Sequence, residues 1–136
     1  MSTNFSIHTS TAQGRVPVTI FHLQGQIDAN TYEQFQTGAE QVYKTGARYL
    51  LLDLSEVSYI SSAGLRALHN IYKLFRADAA DESNEAVSKG ISDGTYKAHQ
   101  LKLPNPNVEV SRILKMAGFD MYLDIFHNQK EAIAAF

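Results

Sequence analysis

Two short apolar runs constrain this chain more than any other feature. Residues 16–23, VPVTIFHL, place apolar side chains on both faces of a period-2 pattern. Residues 47–54, ARYLLLDL, form a Leu-rich run between turn signals. Both read as strands covered on two sides, an environment that a parallel sheet flanked by helices provides. Pro17 stands near the start of the first run, where its missing N–H matters least, and Gly25 is expected to break that strand.

Helical spacing separates and follows these runs. In DANTYEQFQTGAEQVYKTG, Tyr32, Phe35, Ala39, Val42 and Tyr43 fall on one stripe. Asn30 is the expected N-cap there, with Glu33 three residues on completing a capping-box variant. A second helix carries Leu65, Leu68, Ile71, Tyr72 and Phe75 on its inner face, with Ser61 or Ser62 as cap. Phe5 and Ile7 alternate like a short first strand. After Phe75 the character changes. Residues 78–94, DAADESNEAVSKGISDG, hold five acids against one base and read as a flexible acidic insert. Strand alternation resumes at His99, Leu101 and Leu103, and PNPN turns the chain. VEVSRILKMAG is a short helix, MYLDIF a last strand, and NQKEAIAAF a closing helix capped by Asn128 with Glu131. The order β-β-α-β-α-β-α-β-α predicts a single α/β domain with a mixed, mainly parallel β-sheet and about four helices.

Composition narrows the function classes. At 44% apolar and 19% charged residues, the 136-residue chain can bury a core. Twelve basic and 14 acidic side chains give a net charge of −2, which leaves no electrostatic footprint for nucleic acid. With no Cys, thiol catalysis and Cys-based zinc sites are excluded. No apolar stretch is long enough for a membrane span, and the N-terminus lacks the basic and apolar regions of a signal peptide, so a cytoplasmic chain is expected.

Candidate chemistry is sparse. His8, His22, His69, His99 and His127 are too scattered for a local metal motif, and His22 and His99 read as structural residues on strands. Gly90-Ile91-Ser92-Asp93-Gly94 matches the G-x-S-x-G pattern, but a polar stretch precedes it where a nucleophile elbow needs a buried strand. No GxGxxG or P-loop is present. The expectation is therefore a non-enzyme without metal or cofactor. Asp28 and Asp53 stand just past expected strand ends, the edge of an α/β sheet where functional loops gather. Ser61 and Ser62 lie at that edge, at a helix start. They read either as caps or as a phosphorylation site, where a phosphate would meet backbone N–H groups and the positive end of the helix dipole.

The stretch LLDLSEVSYISSAGLRAL, residues 51–68, resembles the strand–loop–helix of the STAS domain, the family of bacterial anti-sigma factor antagonists and of modules in sulfate transporters. GQIDANTYEQF, residues 25–35, is similar to the family's Gly-x-x-Asp segment, and the C-terminal helix–strand–helix also resembles it. The resemblance covers nearly the whole chain except the acidic insert. It implies a phosphoacceptor two residues before the Gly-Leu pair, which is Ser62 here, with Ser61 a possible competitor. It implies a switch surface of Asp28, Asp53, Ser61, Ala63 and Gly64. It further implies that the unphosphorylated protein binds an anti-sigma factor, often a serine kinase of the GHKL type. Phosphorylation would weaken that complex, and a PP2C-type phosphatase would reset it. The alternative within the family is a non-phosphorylated scaffold or a cytoplasmic accessory subunit of a transport system.

Overall fold

The computed structural model describes residues 5–76, 100–104, 106–121, 123–126 and 128–136. The acidic segment 78–94, with its G-x-S-x-G match, and His99 and His127 lie outside the described residues. Strands β1 (Ser6–Gln13), β2 (Pro17–Ile27), β3 (Leu50–Ile60), β4 (Leu101–Pro104) and β5 (Asp124–Phe126) form one sheet in the order β1-β2-β3-β4-β5. The β1–β2 hairpin is antiparallel and the other pairings are parallel. Helices α1 (Tyr32–Lys44), α2 (Ser62–Arg76), α3 (Val108–Met116) and α4 (Gln129–Ala134) alternate with the strands as expected.

The two-faced strands bury side chains on both sides. On one face Phe21, Leu23, Leu50, Leu52 and Leu54 pack with the apolar stripes of α1, α2 and α3, among them Phe35, Ala39, Leu68, Ile71, Phe75, Val110 and Leu114. On the other, Val18, Ile20 and Leu51 pack with Ala132 of α4. Helix α4 covers this second face over Val18, Ile20 and Leu51, at the start of β2 and β3, whereas farther along these strands His22 and Asp53 are half-buried and Gln24, Ser55 and Glu56 exposed. That farther area is polar.

Three local expectations change. Gly25 does not end β2: it sits at φ 109° and the strand continues to Ile27. Its left-handed backbone accompanies two register shifts, where β3 advances three residues against two of β2 and then two against one. The extra residues in β3 convert its inward positions from alternation to Leu54, Val57 and Ile60. The first helix begins at Tyr32, and Thr31, not Asn30, occupies the N-cap position. The Asn30 N–H instead donates to Asp28 Oδ1 (2.9 Å), closing an Asx turn. Pro104 is the last residue of β4, beyond the two positions at which β4 pairs with β3, so its missing N–H falls at the strand end.

On the second face Lys102 is almost wholly buried, its side chain 4% exposed. Its ammonium lies 3.2 Å from Asp124 Oδ2 and over the rings of Phe126 and Phe136, 5.7 and 5.3 Å from their centroids. The pair gives an asymmetric expectation. Asp124→Ala leaves a buried cation without its partner and should cost about 2 kcal/mol, reduced from the fully buried case because Asp124 is partly exposed. Lys102→Met keeps the volume without the charge and should change stability by less than about 1 kcal/mol. Urea denaturation of both variants checks this ordering.

Candidate functional site: the edge beyond β2 and β3

The register pairs the last residues of β2 and β3, Ile27 with Ile60, so the segments that follow them start side by side. The Ser61 N–H donates to Ile27 O (2.9 Å), extending the ladder by one bond into the helix start. Ser61 is the cap of α2: its Oγ accepts the Gly64 N–H (3.3 Å) and its carbonyl accepts the Leu65 N–H (2.9 Å). Ser62 is the first residue of the helix and is exposed. The two serines thus divide the alternatives that their sequence left open. Ser61 is engaged in the cap, and Ser62 presents its hydroxyl at the surface. Ala63 is half-buried beside it.

Gly64 is buried against the strand ends. A Cβ there would stand 2.6 Å from Ile27 O and 2.9 Å from the Cγ2 atoms of Ile27 and Ile60. Glycine therefore sets how closely α2 approaches the sheet, and with it the position of Ser62.

Across the edge, Asp28 is held by its own turn. Thr31 is buried, its hydroxyl accepting the Asp28 N–H (2.9 Å) and donating to Gln26 O (2.7 Å). The Thr31 and Tyr32 N–H groups return to Asp28 O. Sequence reading passed over Thr31, because a threonine in a polar run carries no signal of burial. It also passed over Asn107. That residue caps α3 by accepting the Val110 N–H (2.7 Å) and donates Nδ2–H to Val57 O (2.9 Å), fastening α3 to the distal half of β3. Asn before an apolar helix was a readable cap signal; its bond across to β3 was not.

Asp53 does not belong to this edge. It was expected just past a strand end, but β3 runs on to Ile60 and Asp53 is its fourth residue. It faces the side of the sheet opposite α1, α2 and α3, beside His22. The bulges explain the difference: they make residues 55–59 look like loop while keeping them in the ladder.

A helix N-terminus with an exposed serine offers unpaired backbone N–H groups and a positive dipole end to an added phosphate. The first turn of α2 contains no acidic residue to repel one. Farther along α2, the His69 imidazole is held below its ordinary pKa by burial and by the nearby Lys73 and Arg76 cations. Among the described residues no cluster of His, Cys, Asp or Glu could hold a metal, and no helix is long and apolar enough to cross a membrane.

The same fold occurs in a protein from Thermotoga maritima assigned as an anti-sigma factor antagonist (20% identity, 93% of this chain and 90% of that one covered, TM-score 0.67). It occurs in an anti-sigma factor antagonist from Mycobacterium paratuberculosis (19%, 96% and 93%, 0.67). The antagonist SpoIIAA shares it in its unphosphorylated form (16%, 95% and 92%, 0.66) and, from Bacillus, in its phosphorylated form (13%, 94% and 96%, 0.62). At these identities the likeness is one of fold. The profile of the STAS domain matches residues 9–81 of the sequence, more than half of its length, from within β1 through α2. The chain therefore belongs to the STAS domain family.

Proposed function

We propose that this protein is an anti-sigma factor antagonist of the partner-switching kind, acting in the control of transcription. In the unphosphorylated state it binds an anti-sigma factor through the edge formed by the Asp28 turn and the start of α2. The partner is a serine kinase of the GHKL type, the acceptor is Ser62, and a PP2C-type phosphatase removes the phosphate. Phosphoryl transfer is the work of the kinase; this chain supplies only the acceptor hydroxyl at that edge.

The observation that carries the reading is the division of labour between the two serines. Ser61 already binds the Gly64 N–H, whereas Ser62 is exposed at the first helical position. The antagonists that share the fold include one known both with and without phosphate, which supports the same role here. The test is to incubate the protein with the anti-sigma kinase of its own host and ATP, then map the product by mass spectrometry. Phosphate on Ser62, lost in Ser62→Ala with partner binding retained, is the expected result. Phosphate on Ser61 or elsewhere, or none, would overturn it.

A further inference from the structure

The open face of the sheet carries a second constellation, remote in sequence and on the side away from α2. His22 on β2 pairs directly with Asp53 on β3 and with His8 on β1, and Ser10 lies two residues beyond His8 on the same face. His22 Nδ1 is 3.2 Å from Asp53 Oδ2, and His22 Nε2 is 3.0 Å from Ser10 Oγ. A carboxylate can only accept, so Nδ1 carries the hydrogen in neutral His22 and Nε2 accepts the Ser10 O–H. Asp53 is itself fixed, because its other oxygen accepts the Ser55 N–H (3.0 Å) at the bulge. Nucleophile, base and orienting acid are thus in hydrogen-bond contact in series, the arrangement that activates a serine.

His22 and Asp53 line a cleft of about 260 Å³ with His8, Gln24, Ser55 and Glu56, and Ser10, outside that lining, meets it through the His22 ring. Asp53 and Glu56 give the cleft a negative character that disfavours anionic substrates.

We propose that Ser10, His22 and Asp53 form a nucleophilic triad that hydrolyses small, neutral carboxylic esters. The Ser10 oxygen adds to the ester carbonyl while its proton passes to His22 Nε2. The tetrahedral adduct collapses, the bond to the alcohol oxygen breaks, and His22 returns the proton to the departing alkoxide. Water then adds to the acyl-Ser10 carbonyl with His22 again taking a proton. Collapse releases the carboxylic acid and restores the Ser10 hydroxyl. The balance is ester plus water to acid plus alcohol, and no other reactant is needed. This site is independent of Ser62 and of the partner-switching role.

The probes are p-nitrophenyl acetate, followed by release of nitrophenol, and a fluorophosphonate that labels activated serines. The full chain should hydrolyse the ester at least about tenfold faster than Ser10→Ala or His22→Gln, the lower end of what a positioned base contributes being larger still. Asp53→Asn should fall by a similar factor. The fluorophosphonate should modify Ser10. Ser10 is exposed on an edge strand, so Ser10→Ala is expected to keep its fold, verified by circular dichroism. Equal rates for wild type and Ser10→Ala would mean hydrolysis by histidine alone and would overturn the triad. Label on another serine, or no label, would overturn it as well.

Discussion

Gly64→Ala is expected to lower the stability of the fold by about 3 kcal/mol, the upper part of the usual range for forcing a group into a packed interior. The new methyl would meet Ile27 O at 2.6 Å, and that atom is backbone at the end of β2, held by the Ser61 N–H. It would also meet the Cγ2 atoms of Ile27 and Ile60, two buried β-branched side chains with little rotamer freedom. Nothing at the contact is the loose end of a flexible chain. Relief requires α2 to move outward, but Ser61, one residue before its first turn, is bonded through its N–H to the same Ile27 carbonyl. Moving the helix therefore breaks a ladder bond and lifts Leu68 and Ile71 from the core together. In urea the midpoint should fall by about 1–3 M with the slope unchanged. A midpoint within about 0.3 M of wild type would show that the helix start slides freely, and that Ser62 is not held in a fixed position.

The architecture was legible because its signals were redundant. Leu50, Leu51 and Leu52 are buried to both sides of β3, as their run implied, and the stripes of α1 and α2 face the core where helical spacing placed them. Asn128 caps α4, with its Oδ1 accepting the Glu131 N–H and its Nδ2 reaching the Glu131 carboxylate. What sequence could not show was register. Two bulges keep Ser55 to Tyr59 in the ladder, and a period-2 reading ends β3 too early as a result. That one misreading moved Asp53 from the middle of a sheet face to a loop. It also hid the triad, since Ser10, His22 and Asp53 meet only through the pairing of three strands. A search for linear nucleophile motifs finds Gly90–Gly94 instead. The family resemblance named Ser62 as the expected acceptor with Ser61 as competitor; what the sequence left open was which serine caps α2, and the bond from the Gly64 N–H goes to Ser61.

Ser62→Asp is expected to weaken binding of the anti-sigma partner at least about tenfold, which is a loss of about 1.4 kcal/mol. The substitution adds one negative charge where a phosphate would add about 1.5 to 2, so it reports the lower bound of the switch. The loss should not come through unfolding. An acid at the first position of α2 interacts favourably with the helix dipole, worth about 0.3–1 kcal/mol, so the thermal midpoint should hold or rise slightly. Ser61→Ala is the complementary probe. It removes the bond to the Gly64 N–H and should cost about 1 kcal/mol of stability, yet leave partner affinity near wild type because the exposed hydroxyl of Ser62 is untouched. Calorimetric titration of both variants with the partner, beside their melting curves, separates the two serines along independent axes. If Ser62→Asp binds like wild type, the partner does not contact the start of α2. If Ser61→Ala loses affinity as well as stability, the cap and the contact surface are one unit, and the assignment of the switch to Ser62 alone fails.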